Sequence, residues 1–174
     1  GWEGPEYLAW PDEEGKKDFT TLKGATTYRV MSSMSEEASE DSSGFSEEEG
    51  ASLTGLAAMP KIIFSSTLKE PLVWPNSELI SGDAVEAVRE LKRTRSGTFS
   101  TLGSLSLCRS LLAAGLVDRY RLVVFPVITG KTGRERIYDG YPDVALDMVD
   151  SRTFDGRLQL LEYVPTVLDG PLGR

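Results

Sequence analysis

The chain has 174 residues, a formal net charge of −8, ordinary apolar and charged fractions, a single cysteine and no histidine. Without histidine there is no Ser-His-Asp or Cys-His catalysis and no histidine-held metal, and one cysteine rules out an intrachain disulfide or a thiolate cluster, so no metal site is expected. No apolar run approaches the ~18 residues of a membrane span, the start "GWEGPEYLAWPDEEG" lacks a signal-peptide pattern, no basic stripe suits nucleic acid, and the lone cysteine fits a reducing cytoplasm.

Residues 5–22 are an acidic, aromatic-bearing segment followed by "DFTTL", a possible short strand. In "GATTYRVMSSM", Thr26 or Thr27 can cap a helix whose apolar residues are Tyr28, Val30, Met31 and Met34. Residues 35–50, "SEEASEDSSGFSEEEG", carry seven acids and no base, so the remainder of the chain is nearly neutral. That stretch has too little apolar surface to offset its ordering entropy and is expected to be an acidic mobile loop. It lacks the ligand spacing and central glycine of a calcium loop.

"ASLTGLAAM" reads as a short helix ended by Pro60, and "KIIFSST" as a buried strand ending in three hydroxyls. "SELIS" is a second short strand. "GDAVEAVRELKRTR" is an amphipathic helix with Asp83 as N-cap and bases near its C-terminus, where they suit the macrodipole. "GTFSTL" is a strand that turns into a helix over about residues 104–114, with Leu105, Cys108, Leu111 and Leu112 as its apolar stripe and Gly115 as its stop. Cys108 therefore reads as a small core residue. "VDRYRLVVFPVI", "VALDMVDSRTF" and "RLQLLEYVP" are three further strands, and Asp155-Gly156 between the last two signals a hairpin.

Strand–helix alternation followed by consecutive strands predicts one α/β domain over residues 1–174. It would have three layers: a mixed, mostly parallel sheet, helices on both faces, and a C-terminal antiparallel hairpin. Ligands of such sheets bind beyond the carboxyl ends of the parallel strands. Three stretches set small or hydroxyl residues at such ends: "KGATTY", "FSST" and "TLGSLS". Helix N-termini there would offer unpaired N–H groups to phosphate, and glycine would allow close backbone approach. Taken singly, each is better explained as a turn or a cap, and neither GxGxxG nor a Walker A sequence is present. The loop "TGKTGRERIYDGYPD" gathers Lys131, Arg134 and Arg136 with Tyr138 and Tyr141, which suits an anionic or planar ligand, a dimer contact, or plain solvation.

Taken together and in order, the stretches resemble the dihydrofolate-reductase-like superfamily, in particular the reductase domain of the bacterial bifunctional riboflavin-biosynthesis deaminase/reductase and its stand-alone relatives. "GATTYRVM" looks like the family's Gly-Arg-x-Thr-Tyr/Trp-Glu segment, and "MPKIIFSSTLKEP" like its Pro-Lys strand and turn. "TLGSLSLCRSLLAAGLVDRYRLVVFPVITG" looks like its Gly-Gly/Ser-x-x-Leu helix with the following strand, and "ALDMVDSRTFDGRLQLLEY" like its closing hairpin. The resemblance covers residues 20–166. It implies a pyridine-nucleotide reductase using NADPH or NADH, and a homodimer. By position it implies that Gly24, Thr26 and Thr27 line the cofactor's phosphate side and that Ser65, Ser66 and Thr67 lie near the adenosine ribose. It further implies that Ser81 borders the adenine and that Gly103, Ser104 and Leu105 present helix N–H groups to the pyrophosphate. Hydride transfer needs no histidine, because the cofactor carries the hydride and the protein positions it.

Two departures from the family pattern stand out. Ala25 occupies the place of the arginine that pairs with the 2′-phosphate of NADPH, so only a modest preference for NADPH is expected unless Lys23, Arg29 or the hydroxyls at 65–67 compensate. Residues 1–18 contain no counterpart of the family's first central strand and its Ser-Leu-Asp-Gly-like turn; that strand is expected to lie outside this sequence, since its loss would leave backbone groups unpaired. No substrate-side acid is assigned, and Glu6, Asp12, Glu13 and Glu14 read as solvated surface. The leading function is an NAD(P)H-dependent reductase of a small heterocyclic or carbonyl substrate. The alternative is a catalytically silent nucleotide-binding or interaction module on the same scaffold. A weaker idea gives the acidic loop a basic partner.

Overall fold

The computed structural model describes residues 3–40, 44, 46–101, 103–134 and 136–170. Among the described residues, five helices and seven strands follow one another as α1 (Pro5–Gly15), β1 (Phe19–Gly24), α2 (Ala25–Glu40), α3 (Glu47–Ala58), β2 (Lys61–Phe64), β3 (Ser77–Ile80), α4 (Ala84–Thr94), β4 (Thr98–Thr101), α5 (Leu105–Ala113), β5 (Tyr120–Val124), β6 (Val144–Phe154) and β7 (Leu158–Val167). The chain divides into two compact units, one of residues 11–108 and one of residues 1–10 with 109–174.

The first unit holds a four-stranded sheet in the order β3-β2-β1-β4. All three of its pairings are parallel. Strand β1 is therefore central, although "DFTTL" alone suggested only a possible strand. Every residue of β2 is buried. Successive side chains of a strand point to opposite faces, so burial of both Ile62 and Ile63 means that both faces of β2 are covered. One face is built on Ile63, Tyr28 and Trp74, with Met31 of α2 and Leu56 and Ala57 of α3 against them. Tyr28 also accepts the Val73 amide at 3.1 Å, which fixes the loop that carries Trp74.

Lys61 is fully buried on β2, and its ammonium donates to the carbonyls of Leu56, Ala57 and Met59 at 3.0, 2.9 and 2.6 Å. These carbonyls lie at or just past the end of α3, that of Ala57 also accepting from Asn76 Nδ2 at 3.3 Å, and the cation suits the negative end of the helix dipole. The centre of the Trp74 ring lies 4.5 Å from the ammonium. Burial, reinforced by the charge of Lys23, pushes the Lys61 pKa down to about 8.

The second unit is a three-stranded antiparallel sheet, β5-β7-β6. Asp155 and Gly156 both have positive φ, 53° and 69°, the backbone of the two-residue hairpin turn predicted for them. A bulge between Met148 and Asp150 interrupts the long hairpin. Phe154, Leu158 and Leu160 form its core with Val123, Phe125 and the α1 residues Tyr7 and Trp10. Asp155 accepts the amides of Glu6 and Tyr7 at 3.0 and 3.1 Å, and Glu6 accepts the Asp155 amide in return at 2.6 Å. The hairpin turn thus supplies the cap that the start of α1 lacks locally.

The mixed α/β class holds, with parallel strands first and an antiparallel hairpin last. The strands divide between two sheets rather than one, because β5 pairs with β7 rather than with β4. Helices are more extensive than predicted. Helix α2 starts at Ala25, so Thr26 and Thr27 lie in its first turn rather than capping it, and it runs to Glu40. Residues 35–40 and 47–50, assigned from composition to a mobile loop, are helical. Ser46 accepts the Glu49 amide while the Glu49 carboxylate accepts the Ser46 amide, and this capping box starts α3 inside the acidic stretch. Residues 41–43 and 45 of that stretch lie outside the described residues.

Candidate functional site

The four strands of the parallel sheet end on one edge, and the ten residues expected to meet a cofactor all lie at those ends or just beyond them. Gly24 closes β1, Thr26 and Thr27 open α2, Ser65 to Thr67 follow β2, Ser81 follows β3, and Gly103 to Leu105 lead from β4 into α5. The parallel arrangement sets them along one edge, and hydrogen bonds join only the Gly24–Thr27 and Gly103–Leu105 groups.

Ser104 joins two of the groups directly. Its hydroxyl accepts the Gly24 amide at 3.0 Å and donates to Thr27 Oγ1 at 2.7 Å. Ser104 therefore does not cap its own helix through its side chain. It reaches across to the start of α2. The bond also engages the Gly24 N–H within the protein. A Cβ added at Gly24 would make only ordinary contacts with Ser104, at 3.7 and 3.9 Å.

Gly103 and Ser104 both have positive φ, 72° and 56°, so the turn before α5 is left-handed at two successive residues. Nothing lies within 4 Å of where a Cβ on Gly103 would sit, and Gly103 is exposed. The packing of the protein leaves that space open. Leu105 is 43 % exposed at the first position of α5, the predicted stripe being buried only at Leu111 and Leu112, with Cys108 half-buried. The Cys108 thiol donates to the Gly103 carbonyl at 3.1 Å and so braces the turn from below. The sequence marked Cys108 only as a core residue, and nothing in its spacing signals this contact.

The hydroxyl turn after β2 is closed by Ser65, which is buried and accepts the amides of Thr67 and Leu68 at 3.1 and 3.0 Å. Ser66 and Thr67 are exposed. Arg29 of α2 donates through Nη2 to Thr67 Oγ1 at 3.2 Å, which links the second helix to this turn. Ser81 is exposed one residue past β3.

Of the groups offered as substitutes for an arginine at position 25, Lys23 is withdrawn by the structure. It is only 3 % exposed, its ammonium sits 5.9 Å from the centre of the Trp74 ring, and burial lowers its pKa. Arg29 remains on the surface. Among the acids near the N-terminus, Glu6 serves the Asp155 amide and Glu14 pairs with Lys17, so both have structural partners. The basic loop of residues 129–143 is largely exposed; Arg109 of α5 lies 5.6 Å from the Tyr141 ring centre. Among the described residues no cluster of acids, cysteines or histidines could hold a metal ion, and no helix is long and apolar enough to cross a membrane.

Known proteins carry the same architecture. A riboflavin-biosynthesis-named protein of Shewanella sp. PV-4 superposes with a TM-score of 0.57 at 14 % identity, over 94 % of this chain and 81 % of its own. A pyrimidine reductase-like protein of Corynebacterium diphtheriae superposes with a TM-score of 0.56 at 15 % identity, over 95 % and 83 %. At such identities the likeness speaks for the fold. The uncharacterized protein YyaP of Bacillus subtilis (strain 168) is 30 % identical over 103 residues, 59 % of this chain and 53 % of YyaP, so the match spans about half of that relative's length. The family model of the RibD C-terminal domain matches residues 4–160, a stretch that includes all the strand ends just described and both units of the chain, and the chain therefore belongs to the RibD C-terminal domain family, a reductase-type family.

Proposed function

We propose that the chain is an NAD(P)H-dependent reductase that delivers a hydride to a small heterocyclic or carbonyl substrate. The observation that carries the reading is the Ser104 tie, which draws the Gly24–Thr27 turn and the Gly103–Leu105 turn to one edge of the parallel sheet. The residues there fit a dinucleotide. Helices α2 and α5 begin at that edge, and the positive ends of their dipoles favour a pyrophosphate. The open space beside Gly103 lets an oxygen approach the backbone. The exposed hydroxyls of Ser66 and Thr67 suit a ribose.

The nicotinamide, when bound, supplies the hydride. The protein's part is to fix the dinucleotide by its phosphates and ribose, so that binding energy from parts that do not react orients the part that does. A hydride added to carbon leaves the substrate heteroatom needing a proton, and no side chain described here is assigned to give it. A cytoplasmic setting agrees with the lone, unpaired Cys108. A homodimer is supported by the antiparallel sheet, where the exposed residues Val124, Leu146 and Met148 share one face.

A thermal-shift titration with NADPH, NADH and flavin, followed by cofactor oxidation over a panel of heterocycles and carbonyls, tests this reading. A nicotinamide nucleotide at 100 times its Kd should stabilise the fold by about 2.7 kcal/mol. Binding without oxidation of any panel member would favour the silent nucleotide-binding module, which the engaged Gly24 amide and Ala25 also suit. Binding of neither nicotinamide nucleotide would remove the reductase reading.

A further inference from the structure

We infer that Arg29 reads a phosphate on the adenosine ribose, so that the choice between NADPH and NADH is made one helical turn along α2 from position 25. The inference rests on the reductase reading above and adds the residue that sets its nucleotide selectivity.

Positions 25 and 29 are an i, i+4 pair within α2, and such pairs lie on the same face of a helix. Alanine at 25 offers no charge. Arginine at 29 returns one to the same face, 5–6 Å further along by the ordinary geometry of about 1.5 Å rise per residue. The guanidinium is not left to wander. Nη2 donates to Thr67 Oγ1 at 3.2 Å, and that hydroxyl is itself 3.3 Å from Ser65 Oγ. Ser65 in turn accepts the Thr67 and Leu68 amides, so the turn that anchors Arg29 is closed by its own hydrogen bonds.

The charge is also unspent. Among the described residues no carboxylate pairs with Arg29, whereas Arg93 and Arg95 each have a glutamate partner. Arg29, Ser66 and Thr67 are all exposed, at the carboxyl ends of β1 and β2. A planar guanidinium with donors to spare beside two hydroxyls matches a phosphate monoester, whose oxygens accept several charge-assisted bonds, far better than a neutral diol. Lys23, the other cation of this segment, is buried against Trp74 and cannot take part.

Calorimetric titration of NADPH, NADH, adenosine 2′,5′-bisphosphate and AMP into the wild-type protein, Arg29→Ala and Arg29→Lys tests the assignment, with urea midpoints measured for all three. Arg29→Ala should weaken NADPH and the bisphosphate by about tenfold or more, the scale of a lost charge-assisted contact, while NADH and AMP change less than about twofold. Arg29→Lys should fall between, since an ammonium keeps the charge and loses the fork. NADPH affinity unmoved by Arg29→Ala, or wild-type protein that binds the two nucleotides equally, overturns the inference and leaves the reductase reading standing. An equal loss for all four ligands also overturns it. Binding of none of the four by wild-type protein sinks both.

Discussion

The Ser104 hydroxyl accepts the Gly24 amide at 3.0 Å across 80 positions of sequence. It also donates to Thr27, so one side chain serves both the end of β1 and the first turn of α2. Ser104→Ala leaves the Gly24 N–H without its partner and should cost about 1–2 kcal/mol by urea denaturation. Ser104→Gly loses the same bonds but relieves the positive φ at this residue, so it should be the milder of the two. Nicotinamide nucleotide affinity should fall in both. Wild-type affinity in Ser104→Ala would show that the tie is structural alone.

Gly103 separates packing from ligand approach. A Cβ there meets no protein atom within 4 Å, so the Cβ of Gly103→Val has room, although a branched residue at φ 72° is strained by about 1 kcal/mol or more. A variant that stays folded by circular dichroism should lose nicotinamide nucleotide affinity by about tenfold or more, because the side chain fills the approach to the backbone. Unchanged affinity would return Gly103 to being a turn.

The hairpin turn and the first helix should be thermodynamically coupled. Asp155→Ala removes two acceptors from the start of α1 and should destabilise the protein by about 1–2 kcal/mol. Gly4→Ala acts on the same contact from the other side, since its Cβ would fall 2.2 Å from Asp155 Cγ. A double variant that is no worse than Asp155→Ala alone would show that both report one contact.

Lys61 predicts an unusual pH dependence. Its folded pKa of about 8 lies below the unfolded value of ~10.4, so between the two the unfolded chain holds a proton that the folded chain has released. Unfolding then takes up a proton, and stability rises with pH through this window; Lys23, also lowered, acts in the same direction. Urea midpoints should increase from about pH 7.5 to 9.5, and the rise should shrink in Lys61→Met. A flat profile in wild-type protein would contradict the assigned shift.

Much of the fold was legible because local rules governed it. The alternation in "RLQLLEYVP", the Asp83 cap and the Asp155-Gly156 turn each carry a short-range signal that the structure follows. Helix α1 was not legible: Pro11 lies inside it, its polar and apolar residues keep no helical period, and its cap comes from Asp155. Composition misjudged residues 35–40 and 47–50, since the capping signal Ser46-x-x-Glu49 was present but outweighed by the run of acids. The division into two sheets was hidden for another reason. Strand pairing is a long-range choice, and β5 finds β7 rather than β4. At the candidate site, residue types named the three turns, but only the folded chain shows which of them Ser104 and Arg29 join.

The bond between Glu6 and Asp155 also bears on the order in which the chain can mature. Tyr7 and Trp10 pack on Phe154, so this aromatic core is assembled from residues synthesised far apart in time. A nascent chain that carries α1 can cover Tyr7 only in part, against Phe125, until the hairpin of β6 and β7 has left the ribosome. Contacts of such sequence separation form slowly, because loop closure is paid before they reward it. A truncation before Phe154 would therefore display Tyr7 and Trp10 to chaperones, and release from them would report arrival of the last strand.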